Sequence, residues 1–167
     1  MALPLSRPML RAVLCRALDA AGAPAPSSVG LILSDDSELA SLNAEHLSHP
    51  GPTDVLSFPL LPPSAFPPHQ GQDPDARAAD TGVPFVLPPD QPVHLGDIIV
   101  SVERAAAQAE GGRGGQTGHV CWSAADELRL LVTHGALHLC GWDHARPDEE
   151  AAMRALEGSL LGIDVPR

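Results

Sequence analysis

Residues 133–144 read THGALHLCGWDH, which sets three of the chain's eight histidines within eleven positions. An α-helix advances 3.6 residues per turn, so His134 and His138, four apart, leave the same helical face. Gly141 stands just past the last apolar residue of the stretch, where a left-handed C-terminal turn favours glycine. Such a turn reverses the chain and lets His144 fold back towards the helical pair. Three neutral imidazoles from one segment leave a fourth coordination position for water, as in a catalytic zinc site rather than a closed structural one. Zinc is the default, although nickel, copper and iron also suit imidazole.

An ion with an open position lowers the pKa of bound water towards ~7 and polarises a carbonyl or phosphoryl oxygen. Peptide and phosphodiester hydrolysis are therefore both available. The order His134, His138, Gly141, His144 reproduces the H-E-x-x-H-x-x-G-x-x-H spacing of zinc peptidases. Where those enzymes carry a glutamate as general base, this chain has Gly135, which argues against peptidase chemistry. Two acids are candidates to orient a ligand through its second ring nitrogen: Asp143, beside His144, and Glu127, seven residues before His134 on roughly the same face. A turn-capping aspartate and a solvated helix glutamate are the plainer readings of the same two residues. Cys140 lies inside the segment, but three histidines suffice, and packing is the expected role.

Around this segment the pattern predicts helices and strands in alternation. ADELRLLVTHGALHL (125–139) is helical, with Leu128, Leu131, Val132, Leu137 and Leu139 apolar. Residues 7–21 read as an amphipathic helix with Leu10, Val13, Leu14, Ala17 and Leu18 on one side. VGLILS (29–34) is of strand length, and Asp35, Asp36 and Ser37 can cap a helix over ELASLNAEHL (38–47). DVLSF (54–58) and HLGDIIVSV (94–102) are further strands. ERAAAQAE (103–110) is a helix, and GGRGGQTG (111–118) a flexible link. Pro147 opens a last helix whose first turn is acidic, with Met153, Leu156, Leu160 and Leu161 apolar.

The expectation is one α/β (or α+β) domain over 1–167: a small mixed sheet flanked by four to five helices, with the metal site at the end of a central helix. Residues 59–92 hold ten of the eighteen prolines and read as a long, mobile surface loop.

Composition bounds the rest. A length of 167 residues suits one domain, and with only 3% aromatics its core must be Leu, Val, Ile and Ala. Net charge is −11, and all ten basic side chains are arginine. That balance is unfavourable for phosphate-rich partners, although Arg7, Arg11 and Arg16 load the first helix. No run approaches a membrane span, and the N-terminus lacks a signal-peptide pattern. Cys15, Cys121 and Cys140 lack C-x-x-C spacing and read as reduced thiols of a cytoplasmic protein.

THGALHLCGWDH closely resembles the H-G-x-L-H-L-x-G-[YW]-D-H signature of the YbeY family of endoribonucleases and ribosomal RNA maturation factors. SLNAEHLSHPGPTDVLSFP, HLGDIIVSVERAAAQA and DEEAAMRALEGSLL are similar to further blocks of that family, in the same order. The resemblance implies one zinc ion on His134, His138 and His144, and metal-dependent cleavage of single-stranded RNA. It also implies ribosomal RNA and ribosomal particles as partners, in 16S rRNA 3′-end maturation and ribosome quality control. Thr53, Asp54, Ser57 and Asp97 match family positions around the cleft.

One departure bears on activity. The family's tyrosine–arginine pair aligns with His46 and Leu47, and leucine cannot bind phosphate. Either another cation, such as His46, His49 or an arginine elsewhere, takes over, or nuclease activity is weak. A ribosome-assembly factor with a mainly structural zinc is the alternative to an RNA hydrolase, and a zinc peptidase stands third.

Overall fold

The computed structural model describes residues 3–46, 53–72, 75, 91–111 and 122–162. Within them the chain runs α1 (Arg7–Ala20), β1 (Ser27–Ser34), α2 (Asp36–His46), β2 (Val55–Pro59), a 3-10 turn (Pro63–Ala65), β3 (Val93–Ser101), α3 (Val102–Glu110), α4 (Ala124–Leu139) and α5 (Pro147–Leu161). β3 lies in the middle of a mixed sheet, with β1 parallel on one side and β2 antiparallel on the other. The expected single α/β domain with about five helices around a small mixed sheet is what the chain forms. Leu47, His49, Cys121 and the glycine link from 112 to 118 lie outside the described residues.

α4 is the centre of the fold because most of its surface is apolar or small. It begins with a reciprocal cap: the Ser123 hydroxyl accepts from the Asp126 amide, and the Asp126 carboxylate accepts from Ser123 N. Leu128, Leu131, Val132, Ala136 and Leu139 then pack with Ile98 and Val100 of β3, Leu10 and Ala17 of α1, and Ala105 of α3. A second cluster joins Leu137 and Cys140 to Leu95, Phe66 and Met153. Each large aliphatic side chain buried this way contributes about 1.5–3 kcal/mol. On the opposite face of the sheet, Ile99 and Leu56 pack against Leu39 of α2.

Gly135 lets α4 lie directly on the sheet. A Cβ there would stand 2.6 Å from Ile98 Cγ2, closer than carbon atoms tolerate, with Val55 Cγ2 in tight contact at 3.2 Å. The Ser57 hydroxyl donates to Gly135 O across the same contact, at 3.1 Å. The missing glutamate of the peptidase pattern is thus a packing requirement.

The proline-rich segment departs from expectation over its described part. Leu60 N donates to Leu95 O, and Gln72 Nε2 donates to Pro63 O at 2.6 Å. Phe66 is buried at 2% exposure. Prolines remove amide donors and so end the ladder after β2, but they do not stop side chains from packing. Residues 60–72 pack as a strap on the protein; 73–74 and 76–90 lie outside the described residues.

A Gly135→Ala substitution should lower unfolding free energy by about 1–3 kcal/mol, the range for overpacking a core contact. Denaturant melts of Gly135→Ala, Ile98→Ala and the double variant check the cause. The pair should be less destabilised than the sum of the singles, since alanine at 98 removes the Cγ2 that the new methyl meets.

Candidate metal centre

The end of α4 is shaped by a two-bond turn. Gly141 N donates to His138 O and Trp142 N to Leu137 O, both at 3.1 Å, with Gly141 at φ +81°. This is the reversal that glycine at that place makes possible. It brings the Trp142 carbonyl back onto His138 and swings His144 over the helical pair. The strap then fixes the turn from outside. Gly71 O accepts from Asp143 N at 2.7 Å, and His69 stacks on the Trp142 indole with ring centres 4.0 Å apart. Gly71 has to be glycine for this contact, because a Cβ would sit 2.2 Å from the indole.

The three imidazoles converge, with one nitrogen from each within 4.8 Å of the others. His134 Nε2 and His138 Nε2 stand 3.0 Å apart. Their other ring nitrogens are occupied: His134 Nδ1 by Glu157 Oε1 at 2.7 Å, and His138 Nδ1 by Trp142 O at 2.9 Å. A carboxylate and a carbonyl accept only, so both Nδ1 atoms carry the proton in the neutral rings. Each Nε2 therefore presents a lone pair, and the two lone pairs face each other. That arrangement is repulsive without a cation between them, and it is how metal-binding histidines are held. The donor set fits an imidazole-loving transition metal. Burial, followed by repulsion from His134 and His144, holds His138 down to about 4, so its lone pair is available at neutral pH. Cys140 is buried in the core with its thiol pushed up to about 12 by burial, which leaves it a packing residue.

The candidate supporting residues divide. Ser57, Thr53, Asp54 and Asp143 line a cleft of about 640 Å³ that opens at His134, His138 and His144. Asp143 Oδ1 accepts from the His144 backbone amide rather than from a ring. Asp54 receives Val55 N and Gln108 Nε2. Glu127 is buried and accepts from Trp122 Nε1 at 2.6 Å, two turns from the histidines, so it is neither solvated nor an orienting partner. Asp97 does not line the cleft. It shares the Ile99 face of β3, opposite α4, and lies 3.4 Å from His94. The orienting carboxylate is Glu157 of α5, whose side chain is 4% exposed and which reaches His134 from the far side.

Fold and site together define a one-domain α/β protein with a three-histidine cluster able to take a metal ion. Residues 5–163 match the family model described as Endoribonuclease YbeY. A relative of that name from Symbiobacterium thermophilum is 40% identical over 162 residues, covering 95% of this chain and 87% of its own. Another from a Roseiflexus species is 42% identical, covering 81% of this chain and 69% of its own. The chain belongs to the endoribonuclease YbeY family. A solved Thermotoga maritima protein shares the fold at a TM-score of 0.50 and 20% identity, covering 93% of this chain and 81% of that one.

Glu157→Gln should keep the fold and weaken metal affinity by roughly 10–100-fold, the usual cost of losing such a partner; competition with a chromogenic chelator measures it. For the metal-free protein, the folded His138 pKa of about 4 lies below its ordinary 6.5. Between those values the unfolded chain binds a proton that the folded one refuses, so stability falls as pH drops through that window. Melting temperatures from pH 7 to 4 should show this loss, and His138→Asn should reduce it.

Proposed function

We propose that the protein is a metal-dependent endoribonuclease, with zinc as the resident ion, acting on single-stranded RNA in the cytoplasm. Its place is 3′-end maturation of 16S ribosomal RNA and ribosome quality control, with ribosomal particles as partners. The observation that carries the reading is the facing pair of imidazole lone pairs at 3.0 Å, each locked by an acceptor behind it. The relatives' name supplies the substrate class.

A bound ion supplies a nucleophilic water near neutral pH and stabilises charge on phosphoryl oxygens. The chain's own residues hold and shape that site. His134 and His138 present fixed lone pairs, Glu157 and the Trp142 carbonyl keep their tautomers, and His144 closes the set from the turn. The cleft beside them is lined by β2 and by the 141–144 turn, an open groove of a size to admit an extended strand rather than a buried pocket. No helix among the described residues is long and apolar enough to cross a membrane.

A second reading, assembly factor with a structural ion, is favoured by Leu47 at the family's arginine position and by the net charge of −11. The peptidase reading loses its base at Gly135, where the packing leaves no room for a side chain.

Purified metal-loaded protein, incubated with single-stranded RNA and with casein, separates the three. The nuclease reading expects RNA to be cut, casein to survive, and His138→Ala to fall to the metal-free level. RNA cutting that persists unchanged in His138→Ala would sink it. Intact RNA with co-sedimentation on ribosomal particles would favour the assembly factor.

A further inference from the structure

An RNA phosphodiester brings negative charge into a site bordered by Asp54, Asp143, Glu150 and Glu157, so its binding needs a cation besides any metal. The imidazole cluster stands between two clefts, not one. The second, of about 160 Å³, runs between α4 and α5, and it shares Asp54, Val55, His134 and His144 with the larger one. Among the described arginines, Arg154 alone lines either cleft. Arg104, Arg129 and Arg146 pair with acids elsewhere and line neither cleft.

The position of Arg154 follows from helical spacing on α5. Glu150, Arg154 and Glu157 recur at four and three residues, so one face of the helix carries the His134 partner and the guanidinium together. Glu150 Oε1 accepts from both Arg154 Nε, at 2.9 Å, and Nη2, at 2.8 Å, which keeps the side chain over the cleft mouth. The two side chains are 39% and 46% exposed, and a pair that solvated adds little to stability. The planar fork that meets Glu150 Oε1 matches two phosphate oxygens as well as it matches a carboxylate, so a phosphate can take the carboxylate's place.

We propose that Arg154 is the phosphate-binding cation of this site, gripping a backbone phosphate of single-stranded RNA where the strand passes along α5 beside His134 and His144. The assignment rests on the endoribonuclease reading for its substrate. It gives the chain an arginine on α5 in place of the family arginine whose position Leu47 holds.

The test uses the full-length, metal-loaded protein with Arg154→Ala and Arg154→Lys, a single-stranded oligoribonucleotide, anisotropy for binding and gel kinetics for cleavage. Metal content and melting temperature should match the wild type, because Arg154 supplies no ligand nitrogen and its pair with Glu150 is solvated. Arg154→Ala should weaken RNA binding roughly tenfold, the scale of one charge-assisted contact, through KM more than kcat. The log–log salt dependence of binding should lose roughly 0.7 of slope. Arg154→Lys should restore the slope but only part of the affinity. If the wild type cuts RNA and Arg154→Ala equals it in affinity, KM and slope, the assignment is wrong while the nuclease reading stands. If Arg154→Ala lowers affinity and slope but no metal-loaded preparation cuts RNA, the nuclease reading fails and the phosphate contact stands.

Discussion

Two ring nitrogens aimed at each other across 3.0 Å are the constraint around which the rest is arranged. Left alone, His134 and His138 would rotate so that one donates to the other. Each is prevented by a fixed acceptor on its remaining nitrogen, and the two acceptors come from different parts of the chain. Glu157 reaches in from α5, while the Trp142 carbonyl is returned by the glycine turn at the end of α4. Holding both at once requires the helix, the turn and α5 to keep their relative places. The contact of Gly135 with Ile98 and Ser57 seats α4 on the sheet, and the 60–72 strap braces the turn through Gly71 and His69. A carboxylate as deeply buried as Glu157 is costly to desolvate, and its charged hydrogen bond to an imidazole is what offsets that cost.

The sequence made local geometry legible and tertiary geometry much less so. Helical spacing placed His134 and His138 on one face, and Gly141 adopts the positive φ that its position after the helix required. Strand and helix positions follow because apolar periodicity reports burial directly, as along α4. Glu157 escaped notice because a glutamate on an amphipathic helix looks the same whether it faces water or a histidine. The nearest signal was its spacing, four residues after buried Met153, which puts both on one face of α5. Glu127 misled for the converse reason. Its face on α4 was right, yet two helical turns separate it from His134, and Trp122 had already taken its carboxylate. Asp97 failed on strand parity: neighbouring residues point to opposite faces, and Ile98 holds the face that meets α4.

The proline-rich strap shows why composition is a poor guide to packing. Proline density excludes regular ladders, and that inference holds after Pro59, where β2 ends. It says nothing about anchoring. Phe66, one of only three phenylalanines in a chain without tyrosine, is driven into the cluster beside Leu137 and Cys140. Once that ring is buried, the residues between it and Gly71 have short reach, and they meet the indole of Trp142. A segment that ends the sheet thereby becomes part of the wall behind the histidines.

The chain's overall charge and its family sit uneasily together, and the resolution is one of range. A net charge of −11 repels a polyanion at distance, but screening at physiological salt confines that repulsion to about 8 Å beyond the surface. Inside that range only the local arrangement counts. There three of the acids are already engaged: Glu157 by an imidazole, Asp54 by amide donors, and Asp143 by the His144 backbone. A long-range repulsion slows encounter and is relieved by salt, whereas a short-range contact with phosphate is weakened by it. The two dependences oppose each other, so the absolute salt slope of this protein understates its phosphate contacts. Comparison of a variant with its parent removes the common background, because losing one side chain barely alters the distant field.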